Sequence, residues 1–112
     1  MNPIRITPED SVDLVIRHAD NQMRVYVNGR QIYAKTTEND PVLNDRISLQ
    51  VERGTMRPGY NVVHLFGGNW SKDGHFAAEL IVNNVAVAHW DQRLAGLGII
   101  WDAAVDFELA KQ

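Results

Sequence analysis

The chain has 112 residues, 45% of them apolar and 22% charged, with a net charge of −3. That length can bury one core and not two, so one domain spanning residues 1–112 is expected, and the composition excludes disordered, collagenous and low-complexity chains. Eleven Lys and Arg against 14 Asp and Glu argue against a surface built to track nucleic-acid phosphates, and zero Cys removes disulfides, thiolate nucleophiles and Cys-bound zinc together.

Twelve Val and eight Ile bias the chain toward strands. Ile4-Arg5-Ile6 is a short candidate strand, and Val12 to His18 a longer one. Ala19 to Gln22 reads as a turn into Met23-Arg24-Val25-Tyr26-Val27. Asn28-Gly29 then separates that run from Arg30-Gln31-Ile32-Tyr33-Ala34-Lys35, and Asn-Gly between two alternating runs is the strongest short-range hairpin signal. Residues 12 to 35 are therefore expected to form a three-stranded meander. Residues 36 to 45 carry turn chemistry and are expected to cross from one sheet to the other. Arg46 to Arg53 alternates strictly, with Ile47, Leu49 and Val51 on one face. Arg57-Pro58-Gly59 suits a type II turn, where Pro presets one φ and Gly supplies the positive one. The strand from Tyr60 to Phe66 is apolar on both faces, which predicts a central position.

Residues Gly67 to Gly74 read as a polar loop. His75 to Val82 then presents Phe76, Ala78, Leu80 and Val82 to a core, and Asn83-Asn84 turns it into Val85 to Trp90. Pairing across that two-residue turn predicts a register in which partner numbers sum to 167, placing position 77 opposite Trp90 and His75 opposite Gln92. After a loop from Asp91 to Gly98, the last strand sets Ile99, Trp101, Ala103, Val105, Phe107 and Leu109 on one face, with a bulge expected near Ala103-Ala104. Eight or nine strands with no room for a helix predict an all-β fold, an antiparallel β-sandwich or jelly roll.

The landmarks Val25-Tyr26-Val27-Asn28-Gly29-Arg30-Gln31-Ile32-Tyr33, Ile47 to Val51, Met56-Arg57-Pro58-Gly59-Tyr60-Asn61-Val62-Val63 and Phe76 to Val82 follow one another in the order seen in galactose-binding-like jelly rolls. Roughly residues 12 to 90 resemble that family. The resemblance implies a sandwich that binds its ligand through loops at one end, often with a structural calcium ion elsewhere. No sugar-binding signature is reproduced residue by residue.

Within Gly67 to His75, Trp70 sits among polar and Gly residues, where strand pattern does not dictate burial. An exposed indole can stack on the apolar face of a pyranose ring while Asn69, Lys72, Asp73 and His75 bond its hydroxyls; alternatively, Trp70 folds back as a lid on the sandwich end. Trp90, Asp91 and Arg93 form a second cluster that the register brings toward the same end, unless Trp90 packs on a sheet face and the charges are solvated. Of four His, at 18, 64, 75 and 89, only His75 and His89 come near each other by register, and no pair has zinc-ligand spacing. Asp20-Asn21, Asn39-Asp40 and Asn44-Asp45 offer oxygen ligands for calcium, but turn chemistry explains the same residues. Asp102, Asp106 and Glu108 share a strand face about 7 and about 13 Å apart, reading as a solvated face before an acid–base pair. No Ser-His-Asp order, phosphate loop or dinucleotide motif is present, so no enzymatic activity is expected.

No apolar run reaches the roughly 20 residues of a membrane-spanning helix, and residues 1–5 show no signal-peptide pattern, so a soluble chain, cytoplasmic or exported without a classical signal, is expected. The expected function is a non-enzymatic, lectin-like module for a carbohydrate or other small polar ligand, with no cofactor beyond the calcium option. The alternative is a structural or assembly protein of a phage or secretion apparatus. Eight Arg against three Lys suit homo-oligomeric contacts through sheet edges, although genomic base composition explains the same bias.

Overall fold

In the computed structural model, which describes residues 2–38, 42–49, 55–71 and 73–110, the chain is an all-β sandwich. Its strands are β1 (Ile4–Ile6), β2 (Val12–Ala19), β3 (Gln22–Val27), β4 (Arg30–Thr36), β5 (Asp45–Ser48), β6 (Gly59–Asn69), β7 (Gly74–Val82), β8 (Val85–Leu94) and β9 (Gly98–Leu109). One sheet has the order β1-β9-β6-β3-β4 and the other β5-β2-β7-β8. All pairings are antiparallel except β1 with β9.

Both expected hairpins form, for the expected reason. Asn28 and Gly29 have φ of 52° and 81°, and Asn83 and Asn84 of 49° and 65°, the left-handed values a tight two-residue turn requires. The 36–45 segment does cross between sheets. Its two flanking strands are tied by the Tyr33 hydroxyl, which donates to Asp45 Oδ2 at 2.7 Å. Burial first, and then the neighbouring Asp45 carboxylate, push the Tyr33 phenol well above its ordinary pKa, so it stays a donor. At the opposite end of the molecule, the Arg57-Pro58-Gly59 turn is closed by the buried side chain of Asn61. Its amide donates to Arg57 O and Gly59 O, and its carbonyl accepts from Arg57 N and from Asn28 Nδ2.

Residues 12 to 35 do not form a meander. The chain changes sheets between β2 and β3, because the backbone N–H of Asp20 donates to His75 O in β7 whereas that of Asn21 donates to Gly68 O in β6. Adjacent peptides thus belong to different ladders, an arrangement without a period-two signature. Two strands are longer than expected. β6 continues through Gly67 and Gly68 to Asn69, and β8 continues to Leu94. Gly67 is required there: a Cβ would lie 2.5 Å from Phe76 Cδ1. Glycine at this point marks a close crossing of the two sheets, not a loop.

Both register expectations shift by one residue. Val82 pairs Val85 and Ile81 pairs Ala86, but Leu80 pairs Ala88, so a bulge at Val87 moves Trp90 opposite Ala78 and His75 opposite Arg93. In β9 the bulge falls at Ile100 instead of Ala103-Ala104, since Gly67 pairs Trp101 and Gly68 pairs Ile99. Ile99 is thereby turned away from the core and is 60% exposed, while Trp101, Val105, Phe107 and Leu109 remain buried and Ala103 is half-buried. The core between the sheets gathers Leu14, Ile16, Met23, Val25, Val63, Leu65, Phe76, Leu80 and Phe107, each worth about 1.5–3 kcal/mol on burial. Val51, expected to face inward, lies outside the described residues.

β6 is central in its sheet, as its sequence predicts. Its inward side chains Val63 and Leu65 are buried, but among the described residues nothing covers its second face: Tyr60 is 66% exposed, and Val62, His64 and Phe66 reach solvent to differing degrees.

Candidate functional site

Three places hold the polar and aromatic side chains that chemistry would need. The first is the sandwich end, where Asn21 is the hub. Its side chain is almost fully buried, and Oδ1 accepts the Trp70 backbone N–H at 2.8 Å while Nδ2 donates to Thr37 O and Ser71 Oγ at 3.2 Å each. Asn69 is buried too, its amide donating to Gly96 O at 2.6 Å. Around this frame Trp70 projects with 53% exposure, and Asp73 is exposed. Lys72 lies outside the described residues. The Asn39-Asp40 pair lies outside them as well, whereas Asn44 accepts from Arg17 Nη1 and Asp45 from Tyr33. Among the described residues no three His, Asp or Glu side chains converge as a metal-ligand set.

The second place is the outer face of the four-stranded sheet. His75 is 5% exposed; its ring stacks on His18 with centroids 4.0 Å apart, and its Nε2 lies 2.7 Å from Asp91 Oδ1. The expected partnership of His75 with His89 is replaced by this contact with His18. Arg93 lies across from His75 and is exposed, while Trp90 turns the other way and packs half-buried against the core. Trp90 and Trp70 therefore do not present one aromatic surface.

The His75 hydrogen bond, aided by the positive potential of His18 and His89, holds the Asp91 carboxyl below its ordinary value against a smaller opposing effect of burial. A depressed folded-state pKa stabilises the fold above the unfolded pKa, near 3.9, and that increment disappears as pH falls through the folded value. Asp91→Asn is accordingly expected to lower stability near neutrality and to match the wild type more closely below pH ~4. Urea midpoints of both proteins across that range check it, and a gap that does not narrow in acid would contradict the assignment.

The third place is the outer face of the five-stranded sheet, which carries the second apolar face of the central strand β6. Register places Phe66 between Asp102 on β9 and Arg24 on β3, and His64 between Ala104 and Tyr26. The His64 ring stacks on Phe66 with centroids 4.5 Å apart, and Tyr26 meets Phe66 edge-on at 5.7 Å. The Tyr26 hydroxyl donates to Gln31, and His64 Nε2 lies 3.6 Å from Asp102 Oδ2. Both rings are thus oriented from outside the aromatic column. The next outward position along β6 is Gly68, over which Ile99 and Gln22 lean from either side; a Cβ there would touch Ile99 Cδ1 at 3.5 Å. Arg24, Tyr26, Phe66 and Ile99 line a shallow groove of about 260 Å³.

The chain matches no protein-family model, no curated protein and no solved structure. Its chemistry has to be argued from this groove and its surroundings. The groove is apolar on three sides, and Arg24 has no ion-pair partner among the described residues. A larger cavity, about 500 Å³, opens beside Asp13, Ile32, Arg46, Ile47, Ser48 and Thr55. There the Asp13 carboxylate is already engaged by Arg46 at 2.8 Å. The signal for the aromatic face was present in the sequence as the second alternation Tyr60, Val62, His64, Phe66, but periodicity alone does not distinguish an exposed apolar face from a covered one.

Proposed function

We propose that the chain is a non-enzymatic binding module that takes a carbohydrate on the outer face of its five-stranded sheet. The observation that carries this reading is the solvent-facing column of Tyr26, His64 and Phe66 beside Arg24, which has no ion-pair partner among the described residues. Monomeric proteins seldom leave a contiguous aromatic patch open without using it. The C–H face of a sugar ring stacks on such rings, and its hydroxyls find a guanidinium at Arg24 and a carboxylate at Asp102. A site of this size holds one ring, so its affinity is low and rises when several sites act together. The resemblance of the Val25–Tyr33 hairpin and the Met56–Val63 turn to galactose-binding-like modules supports the same ligand class. The family's end-loop mode would instead rest on Trp70, because Asn69 and His75 are buried.

Glycan-array binding by the wild type, Tyr26→Ala, Phe66→Ala and Trp70→Ala tests this reading. Loss of either sheet-face ring is expected to weaken binding about tenfold, roughly 1.4 kcal/mol, whereas Trp70→Ala retains it. Absence of binding by the folded wild type rejects the carbohydrate reading, and loss confined to Trp70→Ala moves the site to the end loop.

A further inference from the structure

Among the described residues four strands lie at sheet margins, and three of them are protected against pairing with another chain. β1 and β5 have three and four residues. β4 is bulged opposite Val25-Tyr26 and carries Arg30 and Lys35. Short length, bulges and cationic side chains are the devices by which natural sheets blunt their edges. β8 lacks them over most of its course. It has ten residues, carries one cationic side chain, Arg93, with no Lys or Pro, and after the bulge at Val87 runs regularly from Ala88 to Leu94. Among the described residues β7 is its one sheet neighbour, and Val85 and Val87 are 62% and 45% exposed.

We propose that β8 pairs with the β8 of a second copy of this chain, antiparallel about a two-fold axis at Trp90, joining two four-stranded sheets into one of eight strands. Antiparallel pairing about an axis normal to the sheet keeps outward side chains opposite outward ones, so the axis must pass through a residue position. Centring it on Asp91 sets two carboxylates against each other, and like charges directly opposite are unfavourable; centring it on His89 carries the pairing into the bulge at Val87. Centring it on Gln92 pairs Asp91 with Arg93 but sets Trp90 against Leu94 and the two Gln92 carboxamides against each other. Centring it on Trp90 engages residues 88–92, clear of the bulge at Val87, and places His89 opposite Asp91 of the second copy twice, once on each side of the axis. On the inward face, Trp90 then meets Trp90 of the second copy, extending the apolar layer it already joins. The choice of partner rests on this self-complementarity along one strand, and it does not depend on the carbohydrate reading.

Sedimentation equilibrium of the full chain from micromolar to millimolar concentration tests the pairing. The wild type is expected to show a monomer–dimer equilibrium. His89→Asp puts like charges opposite each other twice and should raise the dimer dissociation constant about tenfold or more, whereas His89→Asp combined with Asp91→His restores opposite partners and the dimer. Because the chain has no cysteine, Trp90→Cys adds a second readout: mild oxidation should cross-link it to its own copy, whereas Asn84→Cys, far from the axis along the strand, should not cross-link. Thermal unfolding confirms that each variant is folded. A wild type that is monomeric throughout overturns the proposal, and so does a dimer that His89→Asp leaves intact.

Discussion

Phe76→Ala is expected to destabilise the fold by about 3–5 kcal/mol, the largest effect of any single core truncation here. Its ring is fully buried, stacks on Trp101 from the opposite sheet at 5.7 Å with planes 3° apart, and fills the space above both Gly67 and Gly74. Removing it leaves a cavity walled in part by the backbone at Gly67 and Gly74, and backbone collapses into a void less readily than side chains do. The same contact gives a converse expectation. Gly67→Ala places a Cβ 2.5 Å from the ring and should cost about 1–3 kcal/mol through overpacking. Combining Gly67→Ala with Phe76→Leu should cost less than the sum of the two singles, because the shorter side chain vacates the clash. Guanidinium unfolding of the four proteins measures all three quantities. Additive costs would show that Gly67 is required for some reason other than its approach to Phe76.

The glycines show where sequence reading succeeds and where it stops. Gly29 and Gly59 follow Asn28 and Pro58 in local turn patterns, have positive φ of 81° and 93°, and were legible because the turn chemistry is contained in adjacent residues. Gly67 and Gly74 sit where a ring from another part of the chain leaves no room for a side chain, and nothing adjacent in sequence announces that ring. Local pattern therefore presents them as loop punctuation. Strand identities and the β-sandwich class followed from alternation, which is a local property. The exchange of sheets at Asp20-Asn21 and the bulges at Val87 and Ile100 depend on which strands become neighbours. The consequence for function is direct. The bulge at Ile100 turns Ile99 outward into the groove, and among the described residues no element covers Tyr26, His64 and Phe66, which stay half-buried, so the aromatic face is visible as a pattern but not as a surface.

Asn21→Ala is expected to cost about 2–3 kcal/mol, more than most substitutions of a polar side chain, because it strands several buried partners at once. The Trp70 N–H loses its acceptor, and Thr37 O and Ser71 Oγ lose a donor. The backbone bonds of Asn21 to Gly68 and of Thr37 to Asn21 stay in place, so the corner is loosened without being dissolved. Asn21→Asp distinguishes hydrogen bonding from packing. It keeps an acceptor for Trp70 but brings a carboxylate up to the carbonyls of Thr37 and Glu38, which the native amide reaches as a donor, and should therefore be no better tolerated than the alanine. Chemical unfolding gives the stability, and acrylamide quenching of tryptophan fluorescence reports the released loop, since Trp101 is buried and Trp90 half-buried while Trp70 is the residue tied to Asn21. The variant also separates the two possible binding surfaces. If the ligand lies on the sheet face, folded Asn21→Ala retains it, because Tyr26, His64 and Phe66 are held by β3 and β6; if the ligand depends on the Trp70 loop, its affinity falls as quenching rises.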